Sequence, residues 1–253
     1  MTMIERISNL SSGLAAFAWD RYARLYDVAQ PLFIRLVGAF GELSYEEFEE
    51  DFVTRACLKP GQTVLDVACG TGAGHAALSH AVGPKGKIVA VDISSEMLRR
   101  AKTRGEQLGV RNLSYRKADA QRLSRDFDEE SFDAVMSCNG LPNFLDPRRA
   151  LAEMTRVLRP GGTLAVSAIN RDACEDILLW RLSARFTRGR FLYMEEYREM
   201  LRDLGLVRIK LHEQGLMLIM TARKRMSKKS EPTQPAPGRE PAKRRAASRR
   251  KRA

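Results

Sequence analysis

The sequence predicts an α/β fold built around a mostly parallel sheet of seven strands. From about residue 60 to residue 205, short apolar segments alternate with helical segments, which is typical of parallel strands joined by right-handed crossovers. The first apolar segment, Val64–Val67, leads into a loop with Gly at every second position, Gly70–Gly74. Two apolar segments near residue 210 are separated by a short loop at Gly215, and they predict a closing antiparallel hairpin.

The first fifty residues are predicted to form a helical cap on this sheet. Apolar side chains recur there at spacings of three and four, as along one face of a helix: Ile4, Ile7, Leu10, Leu14, Phe17 and Ala18. A second apolar patch covers about residues 32–40, and a further helix is expected over Glu46–Leu58, ended by Lys59-Pro60-Gly61. We therefore assign residues 1–50 to the cap and residues 51–222 to the sheet domain.

The predicted strands are short apolar segments bounded by turn residues. In chain order they are Thr63–Val67, Lys87–Val91, Leu113–Lys117, Phe132–Ser137, Thr163–Ile169, Leu206–Leu211 and Leu216–Thr221. Asp92 follows the second strand, and Asp119 lies just beyond the third. The pattern predicts a Rossmann-like, doubly wound sheet, in which ligands bind at the carboxyl ends of the strands.

Cap and stop residues bound the helices predicted between the strands, since Ser and Asp are favoured at helix starts and Gly and Pro at helix ends. The first covers about Ala73–Val82 and ends before Gly83-Pro84, and the second is capped by Ser94 or Ser95 and runs to Leu108. The third starts at Asp146-Pro147 and ends at Pro160-Gly161-Gly162, and the fourth covers Met194–Leu204. A variable helical segment, up to about Gly189, is expected before the last of them.

The positive charge of the chain lies almost entirely at its C-terminal end. The formal net charge is +12, and residues 222–253 hold 13 basic and two acidic side chains, so the rest of the chain is nearly neutral. Residues 223–253 contain no aromatic side chain, and their composition predicts a disordered basic tail. Such a tail is either a solvated extension or an electrostatic contact to nucleic acid or to an anionic membrane. Without aromatic side chains it cannot stack on bases.

Cysteine usage and hydropathy predict a cytoplasmic protein without a metal site. The basic tail could place this protein at the periphery of a membrane. The four cysteines are far apart and form no C-x-x-C pair, and only three histidines are present. No apolar run reaches the roughly 18 residues of a membrane span. Glu5 and Arg6 interrupt the apolar pattern at the N-terminus, which argues against a secretory signal.

The spacing of the glycine-rich loop indicates which ligand it holds. A dinucleotide fingerprint requires Gly or Ala at position 75, where this chain has His75. Asp66 lies four residues before Gly70, and its charge would repel a pyrophosphate but suits a cation. S-adenosylmethionine carries an ammonium and a sulfonium group and no phosphate, so we predict it as the cofactor. A plain glycine turn is the alternative.

The chain resembles the class I S-adenosylmethionine-dependent methyltransferases, most closely the ubiquinone/menaquinone-biosynthesis C-methyltransferase group. The resemblance covers about residues 22–222, which makes residues 51–222 a methyltransferase domain. It depends on five segments in order: Val64–Gly74, Val89–Leu98, Lys117–Ala120, Ser131–Ser137 and Arg156–Val166.

The resemblance implies a cofactor site made of Asp66, Gly70, Thr71, Gly72, Gly74, Asp92, Ile93, Asp119, Ala120, Cys138, Asn139, Tyr22 and Tyr26. By this resemblance, Thr71 and the loop glycines hold the methionine part, and Asp66 lies near its amino group. Asp92 accepts hydrogen bonds from the ribose hydroxyls, and it follows Gly70 by the spacing expected of a ribose-binding acid. Asp119 takes the adenine amino group, and Ala120 offers backbone contacts to the ring edge.

The remaining implied residues lie near the methyl group. Cys138 and Asn139 would line the pocket beside it, and Tyr22 and Tyr26 would close over the cofactor. Each implied residue has a structural alternative: a helix cap for Asp92, a turn residue for Asp119, a small core residue for Cys138 and packing for the two tyrosines.

The sequence identifies neither the acceptor nor a catalytic base. An Asn-Pro-Pro-Tyr motif, typical of enzymes that methylate amines in nucleic acids, is absent, and Ser137–Pro142 stands in its place. Leu141–Phe144 replaces the Arg-Asn pair of the quinone enzymes. The apolar character of residues 1–40 and 173–193 favours a hydrophobic small molecule or a lipid headgroup as acceptor. The alternatives are an RNA or protein methyltransferase steered by the tail and a binding protein without catalysis. The oligomeric state is left open.

Overall fold

Strands and helices alternate through the part of the chain that the computed structural model describes, namely residues 12–23, 25–26, 42–174 and 192–226. The helices are α1 (residues 12–23 and 25–26), α2 (Tyr45–Arg55), α3 (His75–Val82), α4 (Ser95–Gln107), α5 (Pro147–Val157), α6 (Arg171–Cys174) and α7 (Met194–Asp203). The strands are β1 (Thr63–Val67), β2 (Lys87–Asp92), β3 (Leu113–Lys117), β4 (Phe132–Ser137), β5 (Leu158–Ile169), β6 (Leu206–Gln214) and β7 (Met217–Lys224). Short 3-10 segments cover Ala120–Arg125 and Leu141–Asn143.

The seven strands form one sheet in the order β3-β2-β1-β4-β5-β7-β6. Strands β1 to β5 pair in parallel, whereas β7 pairs antiparallel with both β5 and β6. This confirms the predicted fold class, including the C-terminal hairpin. The order reverses between β1 and β4, and open α/β sheets bind ligands at such a reversal, outside the carboxyl ends of the strands.

Apolar side chains on the two faces of the sheet pack against different helices. On one face Leu65 and Val67 of β1 belong to the cluster that contains Leu151 of α5 and Leu201 of α7. On the other face Val64, Ile88 and Met136 belong to a cluster with Phe48, Phe52, Leu78 and Val82 of α2 and α3. Burying each large side chain contributes about 1.5–3 kcal/mol, so packing on both faces stabilises the sheet.

Two predicted helix caps are confirmed. The Ser94 hydroxyl accepts a hydrogen bond from the Met97 backbone N–H at 3.1 Å, which selects Ser94 over Ser95 as the cap of α4. Asp146 accepts one from the Arg149 N–H at 3.0 Å and is followed by Pro at the first position of α5. These bonds satisfy backbone donors that have no partner within the helix.

Several element boundaries differ from the predicted ones. Helix α3 begins at His75 rather than near Ala73, because the glycine-rich loop extends to the Gly74 cap. Strand β5 begins at Leu158 rather than Thr163, since the predicted stop Pro160-Gly161-Gly162 is absorbed as an irregularity in the pairing of β4 with β5. Strands β6 and β7 also run three residues further than predicted, because their hydrogen-bonded pairing continues past the apolar segments.

Some sequence predictions fall on residues that the structure does not describe. They are the N-terminal part of the first helix, the apolar patch at 32–40, the variable segment over 175–191 and most of the basic tail. All four cysteines are described and are free thiols. Among the described helices, none has the length and apolar character needed to cross a membrane.

Candidate active site

A cleft opens at the carboxyl ends of β1, β2 and β4, where the strand order reverses. Its space, counted out into the opening to solvent, is about 750 Å³, and α1 covers it from one side. Eight of the thirteen predicted cofactor residues line it: Gly70, Asp92, Ile93, Asp119, Ala120, Cys138, Asn139 and Tyr26. The structure therefore brings together residues from five separate sequence segments, four of which lie at or just after the carboxyl end of a strand, as expected for an open α/β sheet.

Asp92 links the glycine-rich loop to the start of α4. One carboxylate oxygen accepts from the Gly70 N–H at 3.0 Å, and the other accepts from the Ser94 N–H at 2.9 Å. Burial raises the pKa of Asp92 to about 6, against the effect of these backbone hydrogen bonds. The carboxylate is thus ionised at pH 8, lines the cleft and orients both of its walls.

Asp119 begins the 3-10 segment that follows β3. Its Oδ1 accepts from the Gln121 N–H at 2.9 Å, which is the turn role that its sequence position allows. Its Oδ2 accepts from the Ser12 hydroxyl of α1 at 2.7 Å. The side chain therefore connects the sheet to α1 while lining the cleft.

The glycine-rich loop depends on conformations that favour glycine. Gly70 and Gly72 have φ of +54° and +78°, in the left-handed region. A Cβ on Gly72 would lie 2.5 Å from Nδ1 of His75, and one on Gly74 would lie 2.8 Å from Oε2 of Glu49. These two glycines therefore allow side chains from α3 and α2 to lie directly against the loop backbone.

A second cavity adjoins the cleft beneath the loop, and its space, including the opening to solvent, is about 420 Å³. Asp66 and Gly74 of the predicted site line it, while Tyr26, Gly70 and Cys138 line both cavities. Thr71 is buried, and neither it nor Gly72 is among the lining residues of the two cavities. The two spaces therefore meet at the point where the loop, α1 and the end of β4 converge.

Glu49 is a residue of this second cavity that the sequence reasoning missed. It lies in α2, is only 7% exposed, and receives hydrogen bonds from the Cys138 thiol and the Tyr45 hydroxyl. Burial and the nearby charge of Asp66 raise the pKa of Glu49 to about 7. One signal was available in the sequence, since Glu49 shares the buried face of α2 with Phe48 and Phe52.

The neighbours of Glu49 are held in their neutral forms by burial. The Tyr26 and Tyr45 hydroxyls lie 3.4 Å apart, and burial raises the pKa of both phenols. Burial also raises the pKa of the Cys138 thiol, and the carboxylate of Glu49 adds to this effect. Cys138 is therefore a protonated, weakly nucleophilic lining residue rather than a reactive thiolate.

His75 packs beneath the glycine-rich loop. Its ring is fully buried, its Nε2 lies 3.3 Å from an Asp66 carboxylate oxygen, and its Nδ1 lies 3.5 Å from the Tyr115 hydroxyl. Side-chain atoms of Asp66, Cys69 and His75 lie within 4.8 Å of one another, a spacing that a metal ion could use. We assign His75 to the packing of the loop, because its ring fills the space under Gly72.

Helix α1 is fixed to the start of α4 by a contact that the sequence did not reveal. Asp20 accepts from the Ser94 hydroxyl at 2.5 Å and from the Glu96 N–H at 3.1 Å. Trp19 and Tyr26 of α1 line the cleft, but Tyr22 does not. The Tyr22 ring instead packs edge-on between the rings of Trp19 and Tyr26, with centroid distances of 5.6 Å to Trp19 and 5.7 Å to Tyr26.

Fold and site together define a Rossmann-like cofactor-binding protein, and comparison with known proteins gives its family. The profile of the ubiE/COQ5 methyltransferase family matches residues 43–178. The chain therefore belongs to the ubiE/COQ5 methyltransferase family.

Individual relatives agree with this assignment. The chain is 44% identical over 118 residues to "Ubiquinone/menaquinone biosynthesis C-methyltransferase UbiE" of Shewanella baltica, and the match covers 46% of each chain. The same-named protein of Shewanella frigidimarina is 43% identical over 112 residues, which is 44% of each chain. The aligned stretch thus spans about half the length of these curated relatives.

A solved structure extends the similarity beyond that stretch. A SAM-dependent methyltransferase from Aquifex aeolicus superimposes with a TM-score of 0.58 and 25% identity, covering 69% of this chain and 88% of its own. The family and this structure confirm the predicted cofactor, S-adenosylmethionine.

Proposed function

We propose that the chain transfers a methyl group from S-adenosylmethionine to a ring carbon of a small, hydrophobic quinone precursor. The observation that carries the proposal is the pair of adjoining cavities at the reversal of the strand order. The larger has the acids expected for an adenosine group, and the smaller, beneath the glycine-rich loop, would take the methionine part. The sulfonium of S-adenosylmethionine would lie where the two cavities meet, at Cys138.

The residues present fit this cofactor. Asp92 and Asp119 offer carboxylates to the ribose hydroxyls and the adenine amino group, as the family resemblance implies. Asn139 lines the cleft, and its buried Nδ2 has no hydrogen-bond partner within the described ranges, so a donor remains for a ligand. Asp66 and Gly74 line the smaller cavity, where the methionine part would bind.

S-adenosylmethionine, when bound, supplies an activated methyl group for in-line displacement. The chain's own contribution is to position the reactants and to exclude water. Trp19, Tyr26 and Phe144 give the cleft a largely apolar wall. The Cys138 thiol stays protonated and so does not compete with the acceptor for the methyl group.

The nature of the acceptor is inferred from the relatives and from the apolar mouth of the cleft. The Shewanella proteins are named for quinone biosynthesis. Here Leu141, Phe144 and Leu145 lie in or beside the segment where quinone enzymes carry an Arg-Asn pair, and Phe144 and Leu145 line the cleft. This apolar mouth suits a prenylated ring better than a charged nucleic acid.

An isotope-transfer assay tests the proposal. The full chain is incubated with methyl-labelled S-adenosylmethionine and, separately, with prenylated benzoquinol or naphthoquinol precursors that lack a ring methyl group, a lipid extract, and total RNA. We expect label in a quinol product and none in RNA. Label that enters only the RNA would contradict the proposal and support the tail-steered alternative.

A further inference from the structure

Glu49 occupies an unusual position for an acid. It lies on the buried face of α2 between Phe48 and Phe52, yet its carboxylate faces the smaller cavity and not solvent. A Cβ on Gly74 would lie 2.8 Å from Oε2 of Glu49, so the carboxylate lies against the end of the glycine-rich loop. A larger residue at position 74 would require this carboxylate to shift.

A second acid shares this small space. Asp66, at the end of β1, lines the same cavity, and its charge acts on Glu49 more strongly than that of the cation Arg104. Arg104 lies 3.8 Å from a different acid, the exposed Glu46. Two carboxylates that face one buried cavity are unfavourable unless one is protonated or a cation is placed between them.

We infer that Glu49 binds the α-ammonium group of the methionine part of S-adenosylmethionine, together with Asp66. This inference rests on the proposed function, which places the methionine part in this cavity. The ammonium supplies the positive charge that the two carboxylates lack, and Tyr45 and Cys138 orient Glu49 from the sides. Glu49 is thus a positioning residue for the donor, provided by the helix that precedes β1.

Two ligands that differ in whether they carry the amino-acid part, and with it the ammonium, test the inference. S-adenosylhomocysteine carries the ammonium without the sulfonium, whereas 5′-methylthioadenosine carries the same adenosyl thioether without any amino acid. The full chain and its Glu49→Gln variant are titrated with both ligands by calorimetry. Glu50→Gln is the matched control, because Glu50 is the next residue of α2 and is exposed.

We expect Glu49→Gln to weaken S-adenosylhomocysteine binding about tenfold, as for the loss of a charge-assisted hydrogen bond, and to leave 5′-methylthioadenosine binding unchanged. Glu50→Gln should change neither. Unchanged binding of the thioether also shows that the variant is folded and its adenosine site intact.

Two results would overturn the inference. An equal loss for both ligands would show that Glu49 only supports the loop. Unchanged S-adenosylhomocysteine binding would exclude Glu49 from the site. Failure of the unmodified chain to bind S-adenosylhomocysteine would instead reject the proposed function itself.

Discussion

Asp92 is the side chain on which the proposed donor site depends most. Its two oxygens hold the N–H groups of Gly70 and Ser94, and it faces the cleft from the end of β2. We predict that Asp92→Ala weakens S-adenosylhomocysteine binding by about 1–3 kcal/mol, because a charged hydrogen-bonding partner is lost. Calorimetry measures this loss, and 5′-methylthioadenosine should lose as much, since it keeps the ribose.

A matched substitution controls for the loss of charge. Asp128→Ala removes an exposed acid that does not line the cleft, and donor binding should be unchanged. If Asp92→Ala binds the donor as tightly as this control does, the ribose assignment is wrong.

Because Glu49 is buried, we expect the free energy of unfolding to depend on pH. Its pKa in the folded chain, about 7, lies above the ordinary value of 4.5, chiefly because of burial. Its contribution to stability is therefore complete below about pH 4.5 and is lost as the pH rises through about 7. We predict that Glu49→Gln is more stable than the unmodified chain by about 1–3 kcal/mol at pH 8, with little gain at pH 5.

Urea unfolding at the two pH values measures this difference in the free energy of unfolding. Taking the difference from the unmodified chain removes the contribution of Asp92, whose pKa burial also raises. A gain from Glu49→Gln that is the same at pH 5 and pH 8 would show that Glu49 is not buried in a charged form.

At the scale of elements, the attachment of α1 to α4 fixes the helix that covers one side of the cleft. Asp20 makes this link through the Ser94 hydroxyl and the Glu96 N–H. We predict that Asp20→Ala speeds amide hydrogen exchange in residues 12–23 and weakens donor binding by about 1 kcal/mol, because Trp19 and Tyr26 lose their fixed positions.

Another contact between two helices provides the control. Asp203 of α7 pairs with Arg148 of α5 at 3.1 Å, at residues that do not line the cleft. Asp203→Ala should leave donor binding and the exchange of residues 12–23 unchanged. Equal exchange in both variants would mean that Asp20 does not hold α1.

The sequence predicted the sheet well because each strand carries its own signal. Strands β3 and β4 have the predicted bounds, and the acids beside β2 and β3 lie at the cleft because parallel strands end at one edge. The start of β5 was misplaced because Pro160-Gly161-Gly162 is a local stop signal, which the pairing with β4 overrides.

Other site residues were missed because it is mainly tertiary packing that brings them to the site. Glu49 and Asp20 lie on helices far from the strand ends in sequence, and no spacing rule relates them to the glycine-rich loop or to Ser94. Their functional meaning appears only when α1 and α2 are packed against the sheet.

At the scale of the whole molecule, the basic residues of the C-terminal tail lie outside the part of the sequence that lines the two cavities. The lining residues of both cavities lie between Ala15 and Leu145, whereas residues 227–253 hold ten basic and two acidic side chains. We predict that removing residues 227–253 leaves donor binding and the rate of quinol methylation within about twofold of the full chain, because electrostatic attraction by a tail acts on polyanions.

Initial rates for the truncated and full chains, at low and high salt, check this prediction. Two results together would contradict it: the truncated chain loses methyl transfer, and the rate of the full chain falls steeply as salt rises. They would indicate a polyanionic acceptor that the tail attracts.

The most direct test of the central claim is a calorimetric titration of the full chain with S-adenosylhomocysteine, NAD and ATP in turn. An acid-lined, glycine-rich cleft should bind the phosphate-free ligand at one site and leave both phosphate-bearing ligands in solution. Binding of NAD or ATP, with S-adenosylhomocysteine producing no heat and no competition, would contradict the account.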